Sequence, residues 1–152
     1  MRLIKLICCL LFTAFIASCG GGGSSSGGSS SNDNSSSEFD GFYVGSGTLT
    51  TTNDGQSFTD PFEISITIGN GSVTIIAHLI SGQAALNPDG RSYTVTAVSS
   101  STSGTTTCTT TSVFVGTISG NQTTGTVSGG TTCSDGALSI VSSDSGNFTA
   151  TK

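Results

Sequence analysis

The stretch that decides the fold is Phe62–Leu79, FEISITIGNGSVTIIAHL, in which two runs of alternating apolar residues flank Asn70-Gly71. Asn-Gly is the strongest two-residue signal for a β-hairpin, because both residues accept the positive φ angles of a type I′ turn. A turn there makes one face apolar through the pairs Ile68–Val73, Ile66–Ile75, Ile64–Ala77 and Phe62–Leu79. The opposite face pairs Thr67 with Thr74 and Glu63 with His78.

Two flanking turn signals extend this hairpin. Asp54-Gly55 sets Gly45 and Gly47 opposite Ile64 and Phe62. Asn87–Gly90, NPDG, predicts a type I turn with glycine in the left-handed position. That turn predicts the pairs Ala85–Tyr93, Gln83–Val95 and Ser81–Ala97, at the end of one long strand that bends at Ser81-Gly82. The inward-facing set that begins with Val73, Ile75 and Ala77 then continues along the strand with Ser81, Gln83 and Ala85.

A fourth turn signal, Gly120-Asn121, predicts a type II′ hairpin with the pairs Ile118–Thr123, Gly116–Gly125 and Phe114–Val127. The same register brings Cys108 directly opposite Cys133, at a non-hydrogen-bonded position where Cα atoms approach to about 4.5 Å. A cross-strand disulfide fits that spacing. We therefore expect Cys108 and Cys133 to be bonded, on the same face as Phe114 and Val127.

The last turn signals are Asp135-Gly136 and a looser one at 144–146. The first predicts pairing of Cys133 with Leu138 and of Thr131 with Ile140, and the second leads to Phe148 and Ala150. Together the turns predict eight strands in meander order, at 41–52, 57–69, 72–86, 91–99, 105–119, 122–134, 137–143 and 146–151. The predicted fold class is all-β, an antiparallel meander that closes into an up-and-down barrel, with an open sandwich as the alternative.

The face opposite the apolar one carries hydroxyl side chains, among them Thr48, Thr50, Ser65, Thr67, Thr74, Thr94, Thr96 and Thr117. A membrane-spanning barrel would present apolar residues and aromatic girdles there, so the pattern favours a water-facing surface. The chain has 152 residues and a formal net charge of −5, with Arg91 and Lys152 as the only Lys or Arg after residue 5. That charge balance argues against nucleic acid as a partner.

The N-terminus carries a separate signal. Arg2 and Lys5 precede an apolar run, Leu6–Ile16, which is too short for a comfortable transmembrane helix and is followed by Ala17-Ser18-Cys19. Ile16–Cys19 resembles the lipobox of bacterial lipoproteins, an aliphatic residue and two small residues before cysteine. The resemblance implies cleavage before Cys19, a diacylglycerol thioether on that cysteine, and N-acylation by a fatty acid such as palmitate. Residues 1–18 would then be a signal peptide, and an ordinary secretory signal is the alternative.

Lipidation at Cys19 would tie the protein to a membrane of the bacterial cell envelope, because two or three acyl chains anchor stably where one does not. By the same resemblance Gly20, which is not Asp, favours the outer membrane. Gly20–Ser37, GGGGSSSGGSSSNDNSSS, has no apolar side chain to bury, so residues 19–37 are expected to form a flexible tether with a reach of about 25 Å. The folded domain is expected at 38–152.

The chemistry-bearing residues are few. His78 faces Glu63 and could form a catalytic dyad, but a cross-strand polar pair is the simpler interpretation. Asp54, Asp89, Asp135 and Asp144 each fall in a predicted turn, which explains them without a metal ion. We therefore expect no enzyme, no cofactor and no metal site.

Gly41–Gly45, GFYVG, weakly resembles the first strand of lipocalin-like barrels, which opens with Gly-x-Trp. The resemblance implies a barrel that holds a small apolar ligand, and Tyr43, Phe62, Tyr93, Phe114 and Phe148 are the candidate lining residues. Two functions therefore remain open. One is a structural or protein-interaction module on a lipid anchor, and the other is a binder of a small apolar ligand.

Overall fold

The computed structural model describes residues 37–78, 80–136 and 139–152, and these form an all-β structure. The predicted signal peptide, Cys19 and all of the predicted tether except Ser37 lie outside the described residues. Eight strands follow one another along the chain: β1 (Gly41–Asn53), β2 (Gln56–Gly69), β3 (Ser72–Ala77), β4 (Ile80–Ala85), β5 (Ser92–Ser103), β6 (Thr106–Ser119), β7 (Gln122–Ser134) and β8 (Ser139–Thr151). Among the described residues, no helix is long and apolar enough to cross a membrane.

The strands form one antiparallel sheet in the order β4-β3-β2-β1-β8-β7-β6-β5. Because β1 pairs with β8, the meander curls back on itself, and β4 lies beside β5 to form a nearly closed barrel. Between β4 and β5 the sheet is joined by a single bridge, Leu86 to Tyr93, instead of a ladder. The predicted fold class, an eight-stranded meander that closes into a barrel, is confirmed.

The registers predicted from three hairpin turns are confirmed, although the Asn70-Gly71 ladder ends at Ile64–Ala77, before the predicted pair Glu63–His78. The Asn70-Gly71 turn pairs Ile68 with Val73 and Ile64 with Ala77, and the Asp54-Gly55 turn pairs Gly47 with Phe62. The Gly120-Asn121 turn pairs Phe114 with Val127 and Cys108 with Cys133. The reason is the turn chemistry, since Asp54, Gly55, Asn70, Gly71 and Gly120 all have positive φ angles.

The predicted strand 72–86 was wrong, because the chain reverses at His78 and divides it into β3 and β4. His78 has a φ angle of +53°, which closes a two-residue connection between Ala77 and Ile80. The bridge Leu86–Tyr93 is one residue away from the predicted pair Ala85–Tyr93. Since a one-residue slip exchanges the two faces of a strand, β4 turns Gly82 and Ala84 inward instead of the predicted Ser81, Gln83 and Ala85.

The end of the chain also differs from the prediction. Residues 144–146 form no turn, because β8 runs unbroken from Ser139 to Thr151 and pairs with both β1 and β7. The connection that contains Asp135-Gly136 spans four residues, 135–138, so Cys133 faces Ile140 and Thr131 faces Ser142. This shift of two residues from the predicted register keeps the same side chains inward, so the predicted division of side chains between the two faces is correct. Leu138 and Leu79 lie outside the described residues.

The apolar core fills one half of the barrel. Its buried side chains are those of Tyr43, Ile64, Ile66, Ile68, Val73, Ile75, Ala77, Tyr93, Val95, Ala97, Phe114, Ile118, Val127, Phe148 and Ala150, together with Phe39. Tyr43 and Tyr93 are fully buried, as their parity predicted. Three interior aromatics lie directly across from glycines, in the pairs Tyr93–Gly116, Phe148–Gly125 and Phe62–Gly47.

One end of the barrel is closed by the residues that precede β1. The Phe39 side chain is buried there, and the Tyr43 hydroxyl donates to the Phe39 carbonyl at 2.8 Å. The Lys152 ammonium donates to the Glu38 and Asp40 carbonyls, and the Arg91 guanidinium lies 5.5 Å from the centre of the Phe39 ring. We call this the closed end, and the opposite end the open end.

Candidate functional site

The open end has an uneven rim, because the strands differ in length. β1, β2 and β5 to β8 are 12–14 residues long, whereas β3 and β4 have six residues each. The turns at 70–71, 86–91 and 120–121 all lie at the closed end, so the short β3–β4 hairpin stops halfway up the barrel. The interior above the core is therefore open at the top and on the β3–β4 side.

A cavity of about 640 Å³ occupies this open half. It is lined by Leu49, Thr51, Asp60, Pro61, Phe62, Ala77, His78, Ile80, Ser99, Ser101, Thr110, Ser112, Phe114, Val127 and Asp144. Its volume lies within the range of small-molecule sites, which is roughly 300–1,000 Å³. We call it the open-end cavity.

The floor of the open-end cavity is apolar and rigidly packed. Phe62 lies against Gly47, where an added Cβ would come within 2.6 Å of the ring. Phe114 packs edge to face on the buried Phe148, with 6.2 Å between ring centroids. Val127 and Leu49 lie beside them. Because these rings rest on the core below, the floor is formed before any ligand binds.

The walls above this floor carry hydroxyl groups. Thr110 and Thr131 face each other across β6 and β7, and their hydroxyls are 2.8 Å apart. Ser99, Ser101 and Ser112 line the same space from β5 and β6. Hydroxyls can donate or accept, so the walls offer orienting hydrogen bonds without a charge of their own.

Asp144 is the more buried of the two carboxylates that line the cavity. It lies on β8 between Gly129 of β7 and Thr51 of β1, faces inward and is half-buried. The Thr51 hydroxyl donates to Asp144 Oδ1 at 2.7 Å. The second lining carboxylate, Asp60, is exposed at the rim.

The rim is braced by the predicted disulfide. Cys108 and Cys133 are bonded across β6 and β7, with their Cα atoms 4.0 Å apart, and both belong to the inward-facing set. Phe58 of β2 and Ile140 of β8 occupy inward-facing positions of their strands but are 63% and 58% exposed. These two apolar side chains therefore lie at the opening.

A second hollow, on the outside of the barrel, adjoins the cavity at the short hairpin. It is lined by Ser46, Glu63, Ser65 and Ile76, together with Pro61, Phe62 and His78, which also line the cavity. The predicted pair of His78 with Glu63 is therefore changed, because the ladder ends at Ile64–Ala77 and His78 forms the turn. The two side chains border this outer hollow together with Ser46 and Ser65.

The five residues proposed as cavity lining divide between the two halves of the barrel. Phe62 and Phe114 line the open-end cavity, whereas Tyr43, Tyr93 and Phe148 are buried in the core. The residue that sequence reasoning missed is Asp144, which was assigned to a turn. Asp144 lies an even number of residues before Phe148 and Ala150, and such residues share one face of a strand. Taking the segment SSDSG as strand would therefore have placed Asp144 on the inward face.

The four turn aspartates do not converge. Asp54 and Asp135 lie in connections at the open end, Asp144 lies inside β8, and Asp89 lies at the closed end. A hydrogen bond from the Ser92 hydroxyl, with those from the Arg91 and Ser92 amides, lowers the pKa of Asp89. Within the described ranges, no three His, Cys, Asp or Glu side chains are grouped closely enough to hold a metal ion.

Charge is distributed unevenly along the barrel. The lining of the open-end cavity includes two carboxylates and His78 but no Lys or Arg. Arg91 and Lys152 both lie at the closed end, against Phe39 and Tyr43.

No family model matches this chain, and no curated protein matches it.

Proposed function

We propose that this protein is a lipid-anchored lipoprotein of the bacterial cell envelope that binds a small, mainly apolar molecule in its open-end cavity. The observation that carries the proposal is the 640 Å³ space above an ordered core, with Phe62 and Phe114 as its floor and hydroxyls on its walls. An apolar floor below an open end gives a small apolar molecule a surface against which it can be buried.

The anchor and the cavity are compatible. The described chain enters the barrel at the closed end, where Phe39 precedes β1, so the point of attachment of a tether is at the end opposite the cavity. Two or three acyl chains on Cys19 would hold the protein on a membrane, favoured as the outer membrane by Gly20. The ligand would then be captured within the envelope and kept there.

The anchor is tested by Cys19→Ala in the native host. We expect the variant to leave the membrane fraction and to lose the mass of its lipid, because the thioether can no longer form. Ser18→Ala keeps the small-residue pattern and serves as the control. If Cys19→Ala protein stayed in the membrane fraction with unchanged mobility, the lipobox interpretation would be wrong.

Ligand binding is tested by titrating the exported domain with Nile red, a neutral apolar dye, and by native mass spectrometry of protein purified from its own host. We expect saturable binding of the dye and a retained small molecule in the native spectrum. Ser101→Trp should weaken both, because Ser101 lines the cavity and an indole there would occupy it.

Ser100→Trp is the matched control, since Ser100 is the adjacent residue on β5 and is directed to the outside, where its hydroxyl lies 3.1 Å from that of Thr109. The proposal requires that Ser100→Trp bind the dye as the unmodified protein does. Failure of the unmodified protein to bind the dye, together with a native mass that shows no bound molecule, would refute it.

A structural or protein-interaction module is the second candidate, and one observation favours it. Phe42, Val44 and Ile76 are each more than half exposed on the outer face of β1 and β3, where Val44 and Ile76 both flank Ser65 of β2. In that case Val44→Ser would abolish a complex isolated from the native host and leave binding of the dye unchanged. If the cavity is the functional site, Ser101→Trp would weaken binding of the dye, and Val44→Ser would leave that binding unchanged.

A further inference from the structure

We infer that the ligand of the open-end cavity is an organic cation, an ammonium group on an apolar body, and not a fatty acid or another anion. The inference rests on the proposed function and specifies its ligand class. Asp144 within the cavity wall carries it, together with the distribution of charge over the barrel.

The carboxylate of Asp144 is placed to receive a cation. Its strand neighbours are Gly129, which has no side chain, and Thr51, so nothing bulky stands beside it on either side. The Thr51 hydroxyl holds Oδ1 at 2.7 Å, while Oδ2 accepts no hydrogen bond from the described residues. A half-buried carboxylate that lines a cavity, with one oxygen outside any hydrogen bond from the described residues, favours a positively charged donor.

The described lining of the cavity supplies no Lys or Arg to pair with Asp144, and His78 is its one other basic side chain. Arg91 and Lys152 are the only Lys or Arg after residue 5, and both are engaged at the closed end. A carboxylate ligand in the cavity would instead face Asp144 and, at the rim, Asp60. Like charges at short range disfavour binding, so the site selects against anions as well as for cations.

The remaining lining suits the rest of such a molecule. Phe62, which is half-buried, offers aromatic surface, which attracts ammonium and quaternary ammonium groups. Leu49, Val127 and Ile80 offer apolar surface to an alkyl or aryl body. Phe62 and His78 line both the cavity and the outer hollow, so the two spaces adjoin at the short hairpin, where the tail of a longer molecule would leave the cavity.

The experiment compares three probes of equal chain length that differ in charge: decyltrimethylammonium, decanol and decanoate, each below its micelle concentration. Their dissociation constants are measured by displacement of Nile red from the full exported chain at pH 8. We expect the cation to bind most tightly and decanoate most weakly. Asp144→Asn should weaken the cation by about tenfold and leave decanol within about twofold, because only the charged contact is lost.

Asp54→Asn is the matched control, since it removes the same charge from the same end of the barrel at a turn residue that does not line the cavity. It should leave all three probes unchanged. Equal binding of the cation and decanol by the unmodified protein would overturn the inference and leave the proposed function standing. Failure of Nile red and all three probes to bind would overturn the proposed function itself. The ranking on unmodified protein decides the matter even if Asp144→Asn does not fold.

Discussion

At the scale of single residues, the core is built by pairing aromatic rings with glycines. Tyr93, Phe62 and Phe148 each face a glycine on the neighbouring strand, and a Cβ added at Gly116 would come within 2.2 Å of the Tyr93 ring. The absent side chains leave room for large ones, which lets a chain with 22 glycines among 152 residues enclose an apolar core. The glycines of the interior are therefore packing residues here.

The ionisation of the buried Tyr93 makes the free energy of unfolding depend on pH. Its hydroxyl lies 2.8 Å from that of Thr123, and burial raises its pKa to about 12 from a usual 10.0. The folded state favours the neutral phenol, so this stability is fully present below pH 10 and is lost as pH rises from 10 to 12. We predict a decrease of about 2 kcal/mol in the free energy of unfolding over that window, measured by urea denaturation.

Tyr93→Phe should remove that alkaline decrease and cost about 1–2 kcal/mol at pH 7, because the buried Thr123 hydroxyl loses its partner. Tyr93→Phe combined with Thr123→Val should recover part of the loss, since no unpaired hydroxyl then remains. An alkaline decrease that persisted in Tyr93→Phe would assign the titration to another group.

At the scale of strands and turns, hairpin chemistry determines register where two-residue turns are strong. The turns at Asp54-Gly55, Asn70-Gly71 and Gly120-Asn121 each have residues with positive φ, and the ladders beside them match the predicted pairs. The turn at His78 has no such composition, although His78 adopts the same left-handed conformation.

His78 offers a test of that turn. Left-handed φ costs a residue with a Cβ about 1–2 kcal/mol, a cost that glycine avoids while losing more chain entropy on folding. We therefore expect His78→Gly to raise the free energy of unfolding by up to about 1 kcal/mol, and His78→Ala to change it by less than 1 kcal/mol. A loss of several kcal/mol in His78→Ala, measured by urea denaturation, would show that the imidazole itself stabilises the fold.

The Cys108–Cys133 disulfide is a second test at this scale. It closes a loop with a sequence separation of 25, for which the chain-entropy model gives about 3–4 kcal/mol. Replacing both cysteines by serine should lower the free energy of unfolding by that amount and leave β6 paired with β7, because the Gly120-Asn121 turn sets their register. Peptide mapping without reduction should find the linkage in exported protein. Two free thiols there would contradict it.

At the scale of the whole molecule, the barrel is closed at one end, open at the other, and incompletely joined along one side. β1 and β8 pair along ten residues, whereas β4 and β5 share one bridge. There Gly82 packs against β5, where an added Cβ would lie 2.8 Å from the Thr96 carbonyl and from Val95. Side-chain and backbone packing therefore replaces hydrogen bonding along this seam.

The seam predicts where the barrel opens first. Strand β4 has a hydrogen-bonded neighbour on one side, β3, and is only six residues long. Its amides that point toward β5 lack ladder partners, so we expect the peptide that contains β4 to exchange hydrogen for deuterium faster than a peptide from residues 64–68 of β2, which are paired on both sides. Uniform protection across β2 and β4 would show that the seam is as stable as the ladders.

The sequence by itself determined the local chemistry of this protein. Alternating apolar residues and glycine-containing turns specified antiparallel hairpins, an inward apolar face and the Cys108–Cys133 pair, because each depends on residues within one hairpin. The count of eight strands was also predicted, although two strand divisions were placed wrongly. His78 was not seen as a turn, and Asp144 was taken for one.

The tertiary structure decided the rest, because those features depend on neighbours distant in sequence. Asp144 is in a strand because β1 and β7 pair with it from both sides, and Gly146 follows it where the Thr48 carbonyl approaches too closely for a Cβ. The open-end cavity exists because β3 and β4 are half as long as the strands around them. Strand length in a closed barrel is set by pairing around the whole ring, which no local pattern encodes.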